Sequence, residues 1–291
     1  MNLSKYSHLL HYIKYRGFEL KGLPPSDVKN GMLITSIDLD VGNRKLGTIN
    51  AGKNDINVNY SISEFQIGVL EEIAIPLFMK VFDEFQMPVT IAVRGQLLEL
   101  SENALAPILD SSVKHDIGAH GYSHRSFPEL SCEEAETELR VTTSLMKELG
   151  IFPKSFVFPK SRVAHLDLLS KYGYACYRGW GNFLHDGMYI RKHGQIYDIH
   201  PSLQIDHLSN EIFMKKILDI CIRNRLPLHV WFHPWRFGRN PREVQKSIRN
   251  IFLPFIQYAR KKVDTQELTF ETMRSSIDSL ENSNIDIAIR R

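Results

Sequence analysis

Met32-Leu33-Ile34-Thr35-Ser36-Ile37-Asp38 is a nearly unbroken apolar run that ends in an acid. A run of this kind is what a strand covered on both faces looks like, as in a parallel sheet flanked by helices. Side chains alternate along a strand, so Asp38 and Asp40 leave it on the same face. An acid at the end of so apolar a segment is costly unless it is paired, protonated or bound to a metal. A plainer reading, Asp38-Leu39-Asp40 as a turn or helix cap, stays open.

Outward from that run the chain alternates between strand-like and helix-like segments. Upstream, residues 4–15 predict an amphipathic helix capped by Ser4, broken by Gly22 to Pro25. Downstream, Val41 to Tyr60 is polar and rich in Gly and Asn, as a surface loop is. Helical spacing follows at 64–85, a strand at 88–95, a strand at 114–120 and a long helix at 132–150 closed by Gly150. Strands are expected at 155–159, 174–178, 196–201 and 226–232, with helices at 163–171, 211–223 and 241–261. Some seven βα units with no linker between them predict one parallel (β/α) barrel rather than an open sheet. The 291 residues are therefore read as a single domain.

Composition is that of a water-soluble globular chain: 43% hydrophobic, 24% charged, net charge +3. No Lys/Arg cluster stands out, which argues against nucleic acid or an anionic membrane as partner. No apolar span reaches 18 residues, so no integral membrane segment is expected. Cys132, Cys176 and Cys221 are odd in number and far apart, which disfavours a disulfide framework. With no secretory h-region at the N-terminus, the expectation is a cytoplasmic protein. The oligomeric state is not legible.

In a parallel barrel the active site lies at the C-terminal strand ends. Those ends carry Asp38 and Asp40, Arg94, His120 and His124, Pro159 and Lys160, Arg178 and Trp180, Asp198 and His200, and His233. Two imidazoles four residues apart, His120 and His124, make a possible metal half-site if the turn between them is helical. That pair alone is weak evidence, because a chain with 12 His has roughly one such pair by chance and satisfied loop histidines are common. A second pair, His229 and His233, occurs here.

Four segments taken together carry a family resemblance: Ser36-Ile37-Asp38-Leu39-Asp40, His120-Gly121-Tyr122-Ser123-His124, Ser155-Phe156-Val157-Phe158-Pro159 and Val230-Trp231-Phe232-His233. In order and in position they resemble the motifs of the polysaccharide deacetylases, the NodB-homology domains of carbohydrate esterase family 4, over residues 32–273. The closing Leu268-Thr269-Phe270 looks like the segment before the last helix. In wording the chain is similar to branches associated with surface-polysaccharide biosynthesis.

The resemblance implies a distorted (β/α)7 barrel, with the helix at 4–15 and a C-terminal helix as additions. It implies one divalent metal, zinc above all with Co, Ni, Mn or Fe as alternatives, held by Asp40, His120 and His124. Three protein ligands leave a position for water, whose pKa zinc lowers to about 7. Asp38 would be the base, and His233 the acid that protonates a departing amine. The substrate would be an N-acetylated amino sugar. With a cytoplasmic location, a sugar nucleotide, lipid-linked sugar or short oligosaccharide is expected. Arg94, Pro159, Lys160, Arg178, Trp180 and Trp235 are the candidate substrate contacts. Trp180 and Trp235 suit sugar stacking better than Trp231, which apolar packing explains.

Each role has a bland counterpart. His233 could be a core histidine, although it sits at a strand end just before Pro234; His229, four residues earlier on the same face and deeper, reads as a satisfied core residue. His8, His11, His165, His185, His193 and His207 fall in helices or polar loops and receive no role. Two departures from the family pattern matter. The first-motif aspartates are split by Leu39, and the third motif has Val157 where an arginine usually orients the base. Lys160, Arg178 or Arg94 could stand in, since a nearby cation keeps an aspartate ionised. Asp198 is the nearest candidate to support His233. Other readings are a DxD glycosyltransferase, an amidohydrolase opening a cyclic amide or ureide on the same barrel, and a catalytically silent carbohydrate-binding relative.

Overall fold

The computed structural model describes residues 30–40, 73–101, 105–181, 187–238 and 240–282. The helix expected at 4–15 and the loop at 41–60 lie outside the described residues. The strands in chain order are β1 (Gly31–Leu39), β2 (Thr90–Val93), β3 (Asp116–Ala119), β4 (Ser155–Val157), β5 (Cys176–Arg178), β6 (Ile190–His193), β7 (Ile196–Ile199), β8 (Leu203–Gln204), β9 (Pro227–Phe232) and β10 (Leu268–Glu271).

β1 is buried at every position, as the apolar run predicts. It lies mid-sheet, parallel to β9 on one side and β2 on the other, and β3, β4, β5 and β7 continue the parallel order. β9-β1-β2-β3-β4-β5-β7 are the staves of a distorted (β/α)7 barrel. Closure between β7 and β9 is not a regular ladder. The Ser202 N–H donates to the His229 carbonyl at 2.8 Å, and His229 Nδ1 meets the Ile199 carbonyl at 3.0 Å. Two-residue β8 follows on β9, while β6 pairs antiparallel with β7 and β10 pairs with the first half of β1. β6 and β8 have no sequence signal of their own: β6 is polar and mostly exposed, and β8 is too short to show a period.

Alternation along β1 sorts its side chains onto two faces. Met32 and Ile34 point into the barrel with Ala92, Val157, Cys176, Tyr197 and Ile199, where Met273 and Ile277 of the C-terminal helix α8 plug the lower end. That helix spans Met273–Asn282. Leu33, Ile37 and Leu39 point outward into a larger cluster. Helix α1 (Ile75–Glu84) contributes Phe78 and Phe82 to it, α5 (Glu211–Asn224) contributes Ile217 and Leu218, and α7 (Leu253–Asp264) contributes Phe255 and Ile256. Phe78 touches Phe232, Phe237 and Phe252 at ring-centroid distances of 4.8, 4.9 and 5.3 Å, so truncating it to Ala costs about 3–5 kcal/mol.

β2 leads into short α2 (Gly95–Leu100). Over β3, β4 and β5 lie α3 (Cys132–Glu148) and α4 (Leu166–Lys171). α3 starts on a capping box in which Ser131 and Glu134 satisfy each other's backbone N–H groups. The expected helix at 241–261 is two, α6 (Pro241–Ser247) and α7, joined by a widened turn over Ile248–Phe252. Pro254, in the first turn of α7, has no N–H for an ordinary helical bond, and the widened turn absorbs that loss.

Candidate metal and catalytic centre

Asp38 and Asp40 end β1 on the barrel's inner face, both buried at 3% and 2% exposure. β3 delivers His120 beside them, and the chain then turns through Gly121 and returns with His124. This turn is not helical, so the helical condition set on the pair is not what brings it together. Gly121 has φ 68° and His124 has φ 62°, and those two left-handed residues fold the imidazoles onto one side with ring centroids 4.8 Å apart. A Cβ on Gly121 would sit 3.2 Å from Pro159 and 3.3 Å from Glu138, so space as well as φ requires glycine there.

His120 Nδ1 lies 2.7 Å from the Val157 carbonyl. A carbonyl only accepts, so Nδ1 carries the proton and Nε2 is bare; it is buried with no partner among the described residues. His124 Nε2 is 3.3 Å from Asp40 Oδ2. One ligand atom from each of Asp40, His120 and His124 lies within 4.8 Å of the others. Two imidazole nitrogens and a carboxylate oxygen, one imidazole held through its far nitrogen by a carbonyl, suit a divalent ion such as zinc. Burial pushes both histidines toward the neutral, ligating form, His124 to about 3.

The loop that carries the two histidines is braced from behind. Buried Glu138 of α3 accepts from the Tyr122 N–H at 2.7 Å, the Ser123 N–H at 2.8 Å and the Ser123 hydroxyl. Arg94, expected to touch substrate, is instead fully buried. Its guanidinium donates to the Asp40 carbonyl at 3.4 Å, to the Ser123 carbonyl at 3.1 Å and to the Gln96 side chain, tying the two ligand-bearing segments together.

Asp38 is answered by Arg178. Nη2 of Arg178 donates to Asp38 Oδ2 at 2.5 Å, both groups buried. In the β4–β5 register Arg178 stands opposite Val157, so the cation missing from β4 is supplied by the next strand at the same level. Of the three stand-ins the sequence offers, the structure brings this one to Asp38. Burial alone would raise the Asp38 pKa, but Arg178, His120 and His233 reverse that and hold it below the ordinary value. Asp38 Oδ1 has no partner among the described residues.

Residues 65–177 match the sequence profile of the family described as Polysaccharide deacetylase. A peptidoglycan deacetylase of Helicobacter pylori is 30% identical over 106 residues, which cover 35% of this chain and 36% of that protein. The chain thus spans about a third of that curated relative's length. A polysaccharide deacetylase structure from Mycobacterium smegmatis superposes with TM-score 0.69 at 16% identity, covering 92% of this chain and 96% of that one. An allantoinase superposes at 0.64 with 12% identity, covering 87% and 91%. At those identities the superpositions speak for the fold.

Residues 65–177 thus resemble the polysaccharide deacetylase family, within a chain that has the fold of the superposed structures.

The remaining residues of the candidate site take their places around Asp38, Asp40, His120 and His124. His233 Nε2 lies 3.2 Å from Asp40 Oδ2 and 3.7 Å from Asp38 Oδ2. Burial opposes its charge, but the two carboxylates prevail and raise its pKa. Its Nδ1 has no partner among the described residues. Asp198, expected to support it, sits 3.6 Å from His200 instead. Trp235 donates its indole N–H to Asp40 Oδ1 at 2.9 Å, a contact that no sequence motif assigns to it and that orients the carboxylate. Trp231, read in the sequence as apolar packing, is half-buried and offers its ring to the Arg178 guanidinium at 4.5 Å. Trp180, at 70% exposure, and exposed Lys160 remain on the outside, while Pro159 is buried against Gly121. Among the described residues no helix is long and apolar enough to cross a membrane.

Proposed function

We propose that this single-domain barrel is a metal-dependent hydrolase that removes the N-acetyl group of an amino sugar. The observation that carries this reading is the juxtaposition of an arginine-paired Asp38 with the Asp40, His120 and His124 ligand set. A divalent ion held there, zinc by preference, supplies Lewis-acid polarisation of the amide carbonyl and lowers the pKa of an attacking water. Asp38 accepts that water's proton at Oδ1, because Oδ2 is engaged by Arg178. His233, whose affinity for a proton its two carboxylate neighbours raise, gives a proton to the departing amine. Acetate and a free amino sugar result. We assign the sugar contacts to exposed Trp180 and Lys160, which follow the ends of β5 and β4, and to Trp235 beside Asp40.

Arg178 on Asp38 favours a working enzyme over a silent binding relative, and the histidines beside the acids disfavour the DxD glycosyltransferase. We place the reaction in the cytoplasm on a sugar nucleotide, lipid-linked sugar or short oligosaccharide. In support, Cys132, Cys176 and Cys221 are all free thiols, as a reducing compartment keeps them.

The test pairs metal content with acetate release for the wild type and Asp38→Asn, across N-acetylated sugar nucleotides and oligosaccharides with cyclic ureides as controls. One bound metal, acetate from the wild type, and an Asp38→Asn variant that keeps metal but loses turnover are expected. Turnover of a ureide without acetate release from any sugar would refute the proposed substrate class.

A further inference from the structure

Beneath the base lies a buried hydrogen-bond array that the reaction as described does not use. Arg178 Nη1 donates to the Ser36 hydroxyl at 2.7 Å, Ser36 Oγ is 2.8 Å from His229 Nε2, and His229 Nδ1 is 3.0 Å from the Ile199 carbonyl. The direction of every link follows from chemistry. A carbonyl only accepts, so His229 Nδ1 holds the hydrogen. His229 is buried and depressed to about 3, so the ring is neutral and Nε2 is a bare acceptor. The Ser36 hydroxyl must therefore point its hydrogen at Nε2 and turn a lone pair toward Arg178. Arg178 has few other anchors: Nη2 is on Asp38, Nε has no partner among the described residues, and the guanidinium stacks on Trp231.

We propose that Ser36 and His229 are positioning residues that hold Arg178 on Asp38. The neutral Nδ1–H form of His229, set by the carbonyl of Ile199 at the barrel's irregular seam, fixes the lone pair that receives the guanidinium. Strand alternation puts Ser36 on the inner face with Asp38, and His229 reaches it across the β1–β9 pair. In the sequence His229 reads as a satisfied core histidine. It is satisfied, and its two partners make it a relay from the seam to the base. The inference rests on the proposed deacetylase reaction.

The test substitutes Ser36→Ala, alone and in an Arg178→Met background, and follows kcat, KM, bound metal and the nitrogen resonances of His229. A hydrogen bond to a charged group is lost, so kcat falls about tenfold with KM and bound metal unchanged. In the Arg178→Met background the same change has less than about a twofold effect, because the residues act as a unit. An unchanged kcat for Ser36→Ala, or an equal loss in both backgrounds, overturns the proposal. If the wild type releases no acetate, the functional reading has failed, and the array is judged by the resonances alone. A bare Nε2 that shifts in Ser36→Ala upholds the array; a protonated Nε2 in the wild type overturns it. His229→Gln, whose amide oxygen can accept from Ser36, is the second variant and is expected to retain more activity than Ser36→Ala.

Discussion

Replacing Arg178 by Met removes the cation from a carboxylate that is itself almost wholly buried. The pair is 2.5 Å apart with side chains only 1% and 4% exposed, so solvent cannot take over from the lost guanidinium. Breaking a buried pair by removing one partner leaves an uncompensated charge and costs about 3–5 kcal/mol. Urea denaturation of the metal-free protein at neutral pH is the assay, with Asp38→Asn/Arg178→Met as the control that removes both charges. The single variant is expected to lose stability in that range and the double variant to recover part of it. The pH dependence follows in sign. In the wild type Asp38 is held below its ordinary 3.8, so its contribution is present above that value and is lost as pH falls through the folded pKa. Without Arg178, burial raises the Asp38 pKa, the folded state takes up a proton, and the penalty shrinks on mild acidification. A loss under about 1 kcal/mol at neutral pH, independent of pH, would refute the claim that Arg178 neutralises an ionised Asp38.

Three further outcomes are expected. Glu138→Gln weakens the brace behind His120 and His124 and lowers zinc affinity roughly 10- to 100-fold, read by competition with a chelator dye, whereas an unchanged affinity would make Glu138 structural only. Trp235→Phe keeps the ring but deletes the donor to Asp40 Oδ1, and calorimetric zinc titration should give a weaker complex with the fold intact by circular dichroism. Burial depresses His115 to about 4 and His229 to about 3, so the unfolded chain binds more protons below its histidine value of 6.5. Stability of the metal-free protein therefore declines on acidification from 6.5, by up to about 1.4 kcal/mol per pH unit per histidine. A flat urea midpoint between neutral and mildly acidic pH would contradict those shifts.

Much of the barrel was legible because each stave is a short apolar run between helical segments. The runs at 32–38, 155–159 and 226–232 all became strands close to their expected limits. That Asp40, His120 and His124 come together was legible for a different reason: all three stand at strand ends, where the polar side chains of a parallel barrel converge, and the family resemblance groups them. Less visible was how His120 and His124 meet, because left-handed conformations at 121 and 124 follow from packing against Pro159 and Glu138 as much as from the glycine.

The sequence by itself determined which segments are the staves of the barrel, which face each of their residues takes, and which strand ends carry acids and imidazoles, because periodicity and burial preference are local properties. Only the tertiary structure decided that Arg178 answers Asp38, that Arg94 ties loops together rather than meeting substrate, and that Asp198 turns to His200. Those choices depend on which strand lies beside which and at what register, as Val157 opposite Arg178 shows. A guanidinium reaches several ångströms across a barrel, so its partner is set by the closed geometry and not by its neighbours in the chain.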